Sequence, residues 1–150
     1  MAESRAKRMQ VVLTLAVRQE DEAAQKLSQF REQLAQEERQ LQELRDYTAQ
    51  YLRERNGMST GVMAHELINY SLFIQRLNEA CTDQENKVQR MHNLQLNLQK
   101  QWQIKHQKRK SIEDLIKRLQ HEDDVVLEKR LQKEMDELSS IQLRHRSSQE

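Results

Sequence analysis

Both glycines of this 150-residue chain fall within six residues, Asn56-Gly57-Met58-Ser59-Thr60-Gly61, and the chain has no proline. Proline removes a helix donor and clashes with the preceding turn, while glycine costs about 1 kcal/mol relative to alanine inside a helix. One short stretch is therefore the only strong break, and the segments on either side are free to run as uninterrupted helix. The pattern predicts an all-α fold, a long antiparallel two-helix coiled-coil hairpin whose second helix is the longer. Its expected parts are a helix over about residues 4–55, a turn over 56–61, a helix over about 62–143 and a frayed C-terminal tail, all in a single coiled-coil domain of residues 1–150.

Composition narrows what such a hairpin can do. Apolar residues make up 36%, charged residues 33% and aromatics 4%, with a mean hydropathy of -1.02, enough for a narrow seam but too little for a deep catalytic cavity. Low hydropathy alone would also suit a disordered chain. Here, however, 25 Lys and Arg nearly balance 24 Asp and Glu, and the dominant residues are good helix formers. A net charge of +1 argues against a generally basic binder of nucleic acid or membranes. No segment approaches the roughly 20 apolar residues that span a bilayer. No cleavage pattern follows Val11-Val12-Leu13-Thr14-Leu15-Ala16-Val17. The single cysteine, Cys81, has no internal disulfide partner, and a soluble cytoplasmic protein is expected.

Heptad spacing defines the seam. In the first segment, a positions at Leu13, Glu20, Leu27, Leu34, Leu41 and Thr48 alternate with d positions at Met9, Ala16, Ala23, Phe30, Glu37, Leu44 and Tyr51. The second segment carries a positions at Leu67, Ile74, Cys81, Val88, Gln95, Trp102, Arg109 and Ile116. Its d positions are Met63, Tyr70, Leu77, Gln84, Met91, Leu98, Lys105, Ile112 and Leu119. Later apolar residues fit only if the phase slips. At 1.5 Å per residue the helices would measure about 78 and about 120 Å. A turn centred near Met58 and Ser59 sets Phe30 near Val88 and Leu15 near Trp102, and leaves the second helix without a partner beyond about Asp114. Such an overhang calls for another protein, self-association or fraying, because isolated helicity is marginal.

The same pairing sets Arg5, Lys7 and Arg8 opposite Lys108, Arg109 and Lys110, a positive collar at the open end. Charge runs of this kind serve as a solvated face or as a dock for acidic protein loops. Nucleic acid is a third reading, although one tryptophan, Trp102, makes no stacking platform. Near the turn, Gln40, Leu44, Tyr47 and Tyr51 form a stripe at helical spacing, matched on the second helix by Phe73, Leu77, Ala80 and Gln84. One slender partner cannot cover both these rows and the seam, so part of them is expected at the surface as an interaction patch; ordinary seam packing is the bland alternative. No enzyme reading survives, because the Ser, His and acidic residues are strung along the helices without a cavity to assemble them. His65-Glu66 lacks the second histidine of a zinc helix, and Cys81 is expected to pack in the seam.

The segment Asn69-Tyr70-Ser71-Leu72-Phe73-Ile74-Gln75-Arg76-Leu77, placed just after the turn, resembles the flagellar FliJ family. The resemblance extends to Arg5-x-x-Arg8, Leu44-x-x-Tyr47-x-x-x-Tyr51, the glycine-bearing turn, Gln84 and Trp102, and covers roughly residues 4–140. It implies a soluble, non-catalytic component of the flagellar type III export apparatus, without cofactor or metal, that supports flagellum assembly and motility. The implied partners are the hexameric export ATPase, the cytoplasmic part of the membrane export gate and substrate chaperones, with the protein peripheral at the cytoplasmic face of the inner membrane. Family positions implicated in gate contact match Gln40, Leu44, Tyr47, Tyr51, Phe73, Leu77 and Ala80; Gln84 stands where some members have histidine. Contact with the ATPase ring is expected through Arg5, Lys7, Arg8, Lys108, Arg109 and Lys110 and through the overhang. A stand-alone homodimeric coiled-coil adaptor and a nucleic-acid binder using the basic patch are the alternative classes.

Overall fold

A computed structural model describes residues 4–57 and 63–149. The fold is all-α, with no strand among the described residues: α1 runs over Arg5–Gly57 (53 residues) and α2 over Ala64–Ser147 (84 residues), packed antiparallel. Local chemistry explains the ends. Ser4 caps α1, its Oγ accepting from the Lys7 N–H at 3.2 Å, as an N-cap serine does for an otherwise orphaned donor. At the far end of α2, Arg144, His145 and Arg146 sit where the helix dipole favours cations. The hydroxyls of Ser147 and Ser148 donate to the carbonyls of Arg144 and His145 at 2.9 and 3.0 Å.

The break is shorter on its N-terminal side than its residues suggest. Asn56 and Gly57 continue α1 instead of turning, and a Cβ on Gly57 would meet nothing within 4 Å. A single glycine at a helix end carries only its propensity penalty, which the preceding helix outweighs. The rest of the expected turn, Met58 to Gly61, lies outside the described residues.

Contacts divide the chain into two compact units, one of residues 21–104 and one of residues 1–20 with 105–150. In the first, Leu34, Leu41 and Val88 form a buried cluster with Met91 against it, and Leu27, Thr48 and Leu77 are also buried. In the second, Ala16, Ile112 and Ile116 cluster with Met9 and Leu13, flanked by buried Ala6 and Leu119. Every a and d position of α1, and every one of α2 from Tyr70 to Leu119, is buried or half-buried, the polar Glu20, Glu37, Gln84, Gln95, Lys105 and Arg109 included. Met63 and Leu67 are exposed.

The lengthwise pairing, however, differs from the expectation by about one heptad, two helical turns. Val88 meets Leu34 and Leu41, Thr48 lies 3.6 Å from the Cys81 sulfur, and Ala16 meets Ile112 and Ile116. Leu15, expected near Trp102, is exposed and off the seam. The physical reason is the repeat itself: sliding one helix by seven residues returns every a and d position to the seam, so the apolar pattern cannot choose between registers. Burial on α2 consequently runs to Leu119, beyond the expected end of pairing at Asp114. From Gln120 to Gln149 only Val125 is partly covered.

Candidate partner-binding surfaces

In the unit of residues 21–104, three aromatic side chains lock together. The Tyr51 ring stacks on Tyr70 at a centroid distance of 4.6 Å and meets Phe73 edge-on at 4.7 Å. Tyr47 stacks more loosely on Tyr51 at 6.4 Å. The Arg55 guanidinium lies 5.4 Å from the Tyr70 ring centre, a cation–π contact, and the Tyr70 hydroxyl donates to the Tyr51 carbonyl at 3.4 Å. Burial, and then the neighbouring Tyr70 and Tyr47, push the Tyr51 phenol above its ordinary pKa, so it stays neutral. Tyr51 and Phe73 are thereby held in place, while Tyr47, at 51% exposure, presents its ring to solvent.

Beside Tyr47 an open groove of about 480 Å³ is lined by Gln40, Glu43, Leu44, Tyr47 and Gln84. Gln84 spans the seam. Its amide donates to the Glu37 carbonyl at 3.1 Å and the Glu37 carboxylate at 2.6 Å, and Lys87 reaches the same carboxylate at 3.0 Å. The bonds from Gln84 and then Lys87 hold the Glu37 carboxyl below its ordinary pKa. The structure thus brings Gln40, Leu44, Tyr47 and Gln84 to one groove and ties Tyr51 and Phe73 to its aromatic edge. Ala80 is exposed, and Leu77, at 9% exposure, belongs to the seam rather than the surface.

In the unit of residues 1–20 and 105–150, the expected collar comes apart. Lys7 lines a groove with Gln120, Asp123 and Asp124, so this lysine faces an acidic stretch instead of Lys108 to Lys110. Arg5, Lys7, Arg8, Lys108 and Lys110 are exposed, but Arg109 is engaged by Glu20, which also meets His106 at 3.3 Å, and by Glu113 at 2.8 Å. Burial alone would raise the Glu20 pKa. The hydrogen bonds from Arg109 and His106 outweigh it and leave the carboxyl below its ordinary value. The heptad slip is again the cause, since it moves the partner of each α1 residue further along α2.

Sequence reasoning passed over Tyr70, Arg55, Glu43 and Glu37 as parts of these surfaces. A signal for some of them was present. Glu20 and Arg109 are both a positions, and Glu37 and Gln84 are both d positions, so polar seam residues that must find one another would have fixed the register. Nothing in either surface pairs a nucleophile with a base; rigid aromatic and amide groups beside a groove are suited to recognition. Among the described residues no group of His, Cys, Asp and Glu is placed to hold a metal ion, and no helix is long and apolar enough to cross a membrane.

Residues 5–148 match the family model described as flagellar FliJ protein. The chain is 35% identical over 130 residues, 83% of its own length and 86% of the relative's, to the flagellar FliJ protein of Escherichia coli (strain K12). No solved structure matches it.

Proposed function

The chain belongs to the flagellar FliJ family, and from that premise we propose that it is a non-catalytic component of the flagellar type III export apparatus, linking the export ATPase ring to the export gate and assisting chaperone and substrate handling. The observation that carries the reading is the family match over residues 5–148, which spans nearly all of both helices. The protein acts in the cytoplasm, at the cytoplasmic face of the inner membrane at the flagellar base.

The gate contact is assigned to the groove and aromatic edge formed by Gln40, Leu44, Tyr47, Tyr51, Phe73, Ala80 and Gln84, with Leu77 acting from the seam as support. Exposed Tyr47 on fixed Tyr51 supports this assignment, because a rigid aromatic anchor loses little entropy on docking. Ring contact is assigned to Arg5, Lys7, Arg8, Lys108 and Lys110 and to α2 beyond Asp124, with Arg109 beside them paired to the carboxylates of Glu20 and Glu113.

The test is a pull-down with the cognate export ATPase and the cytoplasmic gate domain. Tyr47→Ala is expected to weaken gate capture at least tenfold while leaving ATPase capture intact. A chain ending at Asp124 is expected to do the reverse. Parallel loss of both partners in either variant would overturn the division of surfaces, and capture of neither by the full chain would overturn the export reading itself.

A further inference from the structure

Six methionines are spread along the chain. Met1 and Met58 lie outside the described residues, while Met9 and Met91 are half-buried, each packed against one of the two apolar clusters. Met63 and Met135 stand in solvent, at 65% and 67% exposure. Of these two, only Met135 lies on α2 beyond Asp124, the stretch assigned above to the ATPase ring. There Leu127, Leu131, Met135, Leu138 and Ile141 share one helix face at spacings of four, four, three and three, and all five are exposed. Met135 is the third of the five, with Leu131 one turn before it and Leu138 one turn after. Glu134 stands on the same face, so the apolar strip is narrow and a polar change at its middle is not diluted.

We propose that Met135 is a redox modification site: hydrogen peroxide converts its thioether to the sulfoxide in the free chain and thereby weakens the contact with the ring. The proposal rests on the assignment of α2 beyond Asp124 to that ring. In the reaction the Met135 sulfur gives a lone pair to one peroxide oxygen, an S–O bond forms and the O–O bond breaks. The proton on the transferred oxygen passes to the departing hydroxide, which leaves as water. Sulfur is oxidised by two electrons and the peroxide is reduced by two. A thiol-dependent sulfoxide reductase reverses the step, two thiols closing to a disulfide while the oxygen leaves as water.

Position gives the modification its consequence. A sulfoxide oxygen is a strong acceptor, and its nearest neighbours along the strip, Leu131 and Leu138, have no side-chain donor to offer it. Covering it with a partner strands that acceptor, whereas covering the thioether removes apolar surface from water. The four aliphatic members of the strip cannot respond to peroxide in this way. Met9 and Met91 are shielded by their packing, so the paired part of the chain is spared and the change stays local.

The test treats the full chain with hydrogen peroxide, removes the oxidant with catalase and reads each methionine by peptide mass spectrometry. Met135 is expected to gain oxygen at least about fivefold faster than Met91, following exposure. In a pull-down with untreated export ATPase, the oxidised chain is expected to bind about tenfold more weakly than its parent, with gate-domain capture and helical circular dichroism unchanged. M135L keeps the apolar area and lacks the sulfur, so its ATPase capture is expected to be the same before and after peroxide. M63L is expected to lose capture on oxidation as the parent does, and sulfoxide reductase with a thiol is expected to restore the parent. Equal capture by the oxidised and untreated parent, an equal loss in oxidised M135L, or loss of helix on oxidation would overturn the proposal and leave the export reading standing. No ATPase capture by the untreated chain would overturn both.

Discussion

Two truncations separate the paired part of α2 from the part beyond it. A chain ending at Ser111 loses Ile112, Ile116 and Leu119, all buried, two of them packed with Ala16. Full burial of such a side chain is worth about 1.5–3 kcal/mol, and partial burial in the denatured chain trims that, so the loss is on the order of 5 kcal/mol. Residues 5–20 of α1 then have no apolar partner, and a helical segment of that length is marginal alone. A chain ending at Asp124 loses only exposed side chains apart from half-buried Val125, at a cost of about 1 kcal/mol or less. Amide exchange read by mass spectrometry on peptides from residues 5–20 distinguishes the two. The Ser111 truncation is expected to lower protection by on the order of three to four decades, since each 1.4 kcal/mol is about tenfold. The Asp124 truncation is expected to leave protection within about fivefold of the full chain. Equal protection in all three chains, or equal loss in both truncations, would refute the pairing described for Ala16, Ile112 and Ile116.

Two further substitutions and a titration probe the unit of residues 21–104 and the polar seam layers. Leu77→Ala is expected to destabilise the fold by about 2–3 kcal/mol in urea unfolding, because Leu77 is buried in the seam, whereas Tyr47→Ala should cost under about 1 kcal/mol. Similar costs for both would contradict their different burial. Glu20 and Glu37 both titrate below the ordinary value of 4.5 in the folded chain. A carboxyl lowered on folding contributes stability that is fully present above its ordinary pKa and is lost as pH falls through the lowered value. The melting temperature is therefore expected to hold down to about pH 5 and then fall, and Glu20→Gln with Glu37→Gln should flatten that fall. An unchanged acid slope in the double variant would remove these two carboxylates as its source.

The seam was legible in the sequence because a coiled coil needs only one property at a and d, coverage, and the spacing of Met9, Ala16, Leu27, Leu34, Leu41 and Leu44 reports it directly. Even Glu20 and Arg109 lie where the repeat put them. The register was not legible from that spacing, which is unchanged by a slip of seven residues, and Gly57 misled because it stays helical. Three of the four rings of the aromatic surface, Tyr47, Tyr51 and Phe73, followed from stripe spacing, and Tyr70 did not. Which side of each stripe meets solvent depends on the arc the partner helix covers: Tyr47 lies outside it and Leu77 inside, a distinction no single-helix pattern contains.

Each unit has a carboxylate bridged across its seam, Glu37 by Gln84 and Lys87 in one, Glu20 by His106 and Arg109 in the other. During refolding, helices that zip up one heptad out of step would satisfy nearly all apolar positions but strand a carboxylate against a hydrocarbon layer. That cost is absent only in the native step, so misaligned pairings become short-lived instead of competing end states. A chain with Glu20 and Arg109 both replaced by leucine would keep a greasier seam, yet it should refold in several phases, because its search would lose the penalty that discards the wrong alignments.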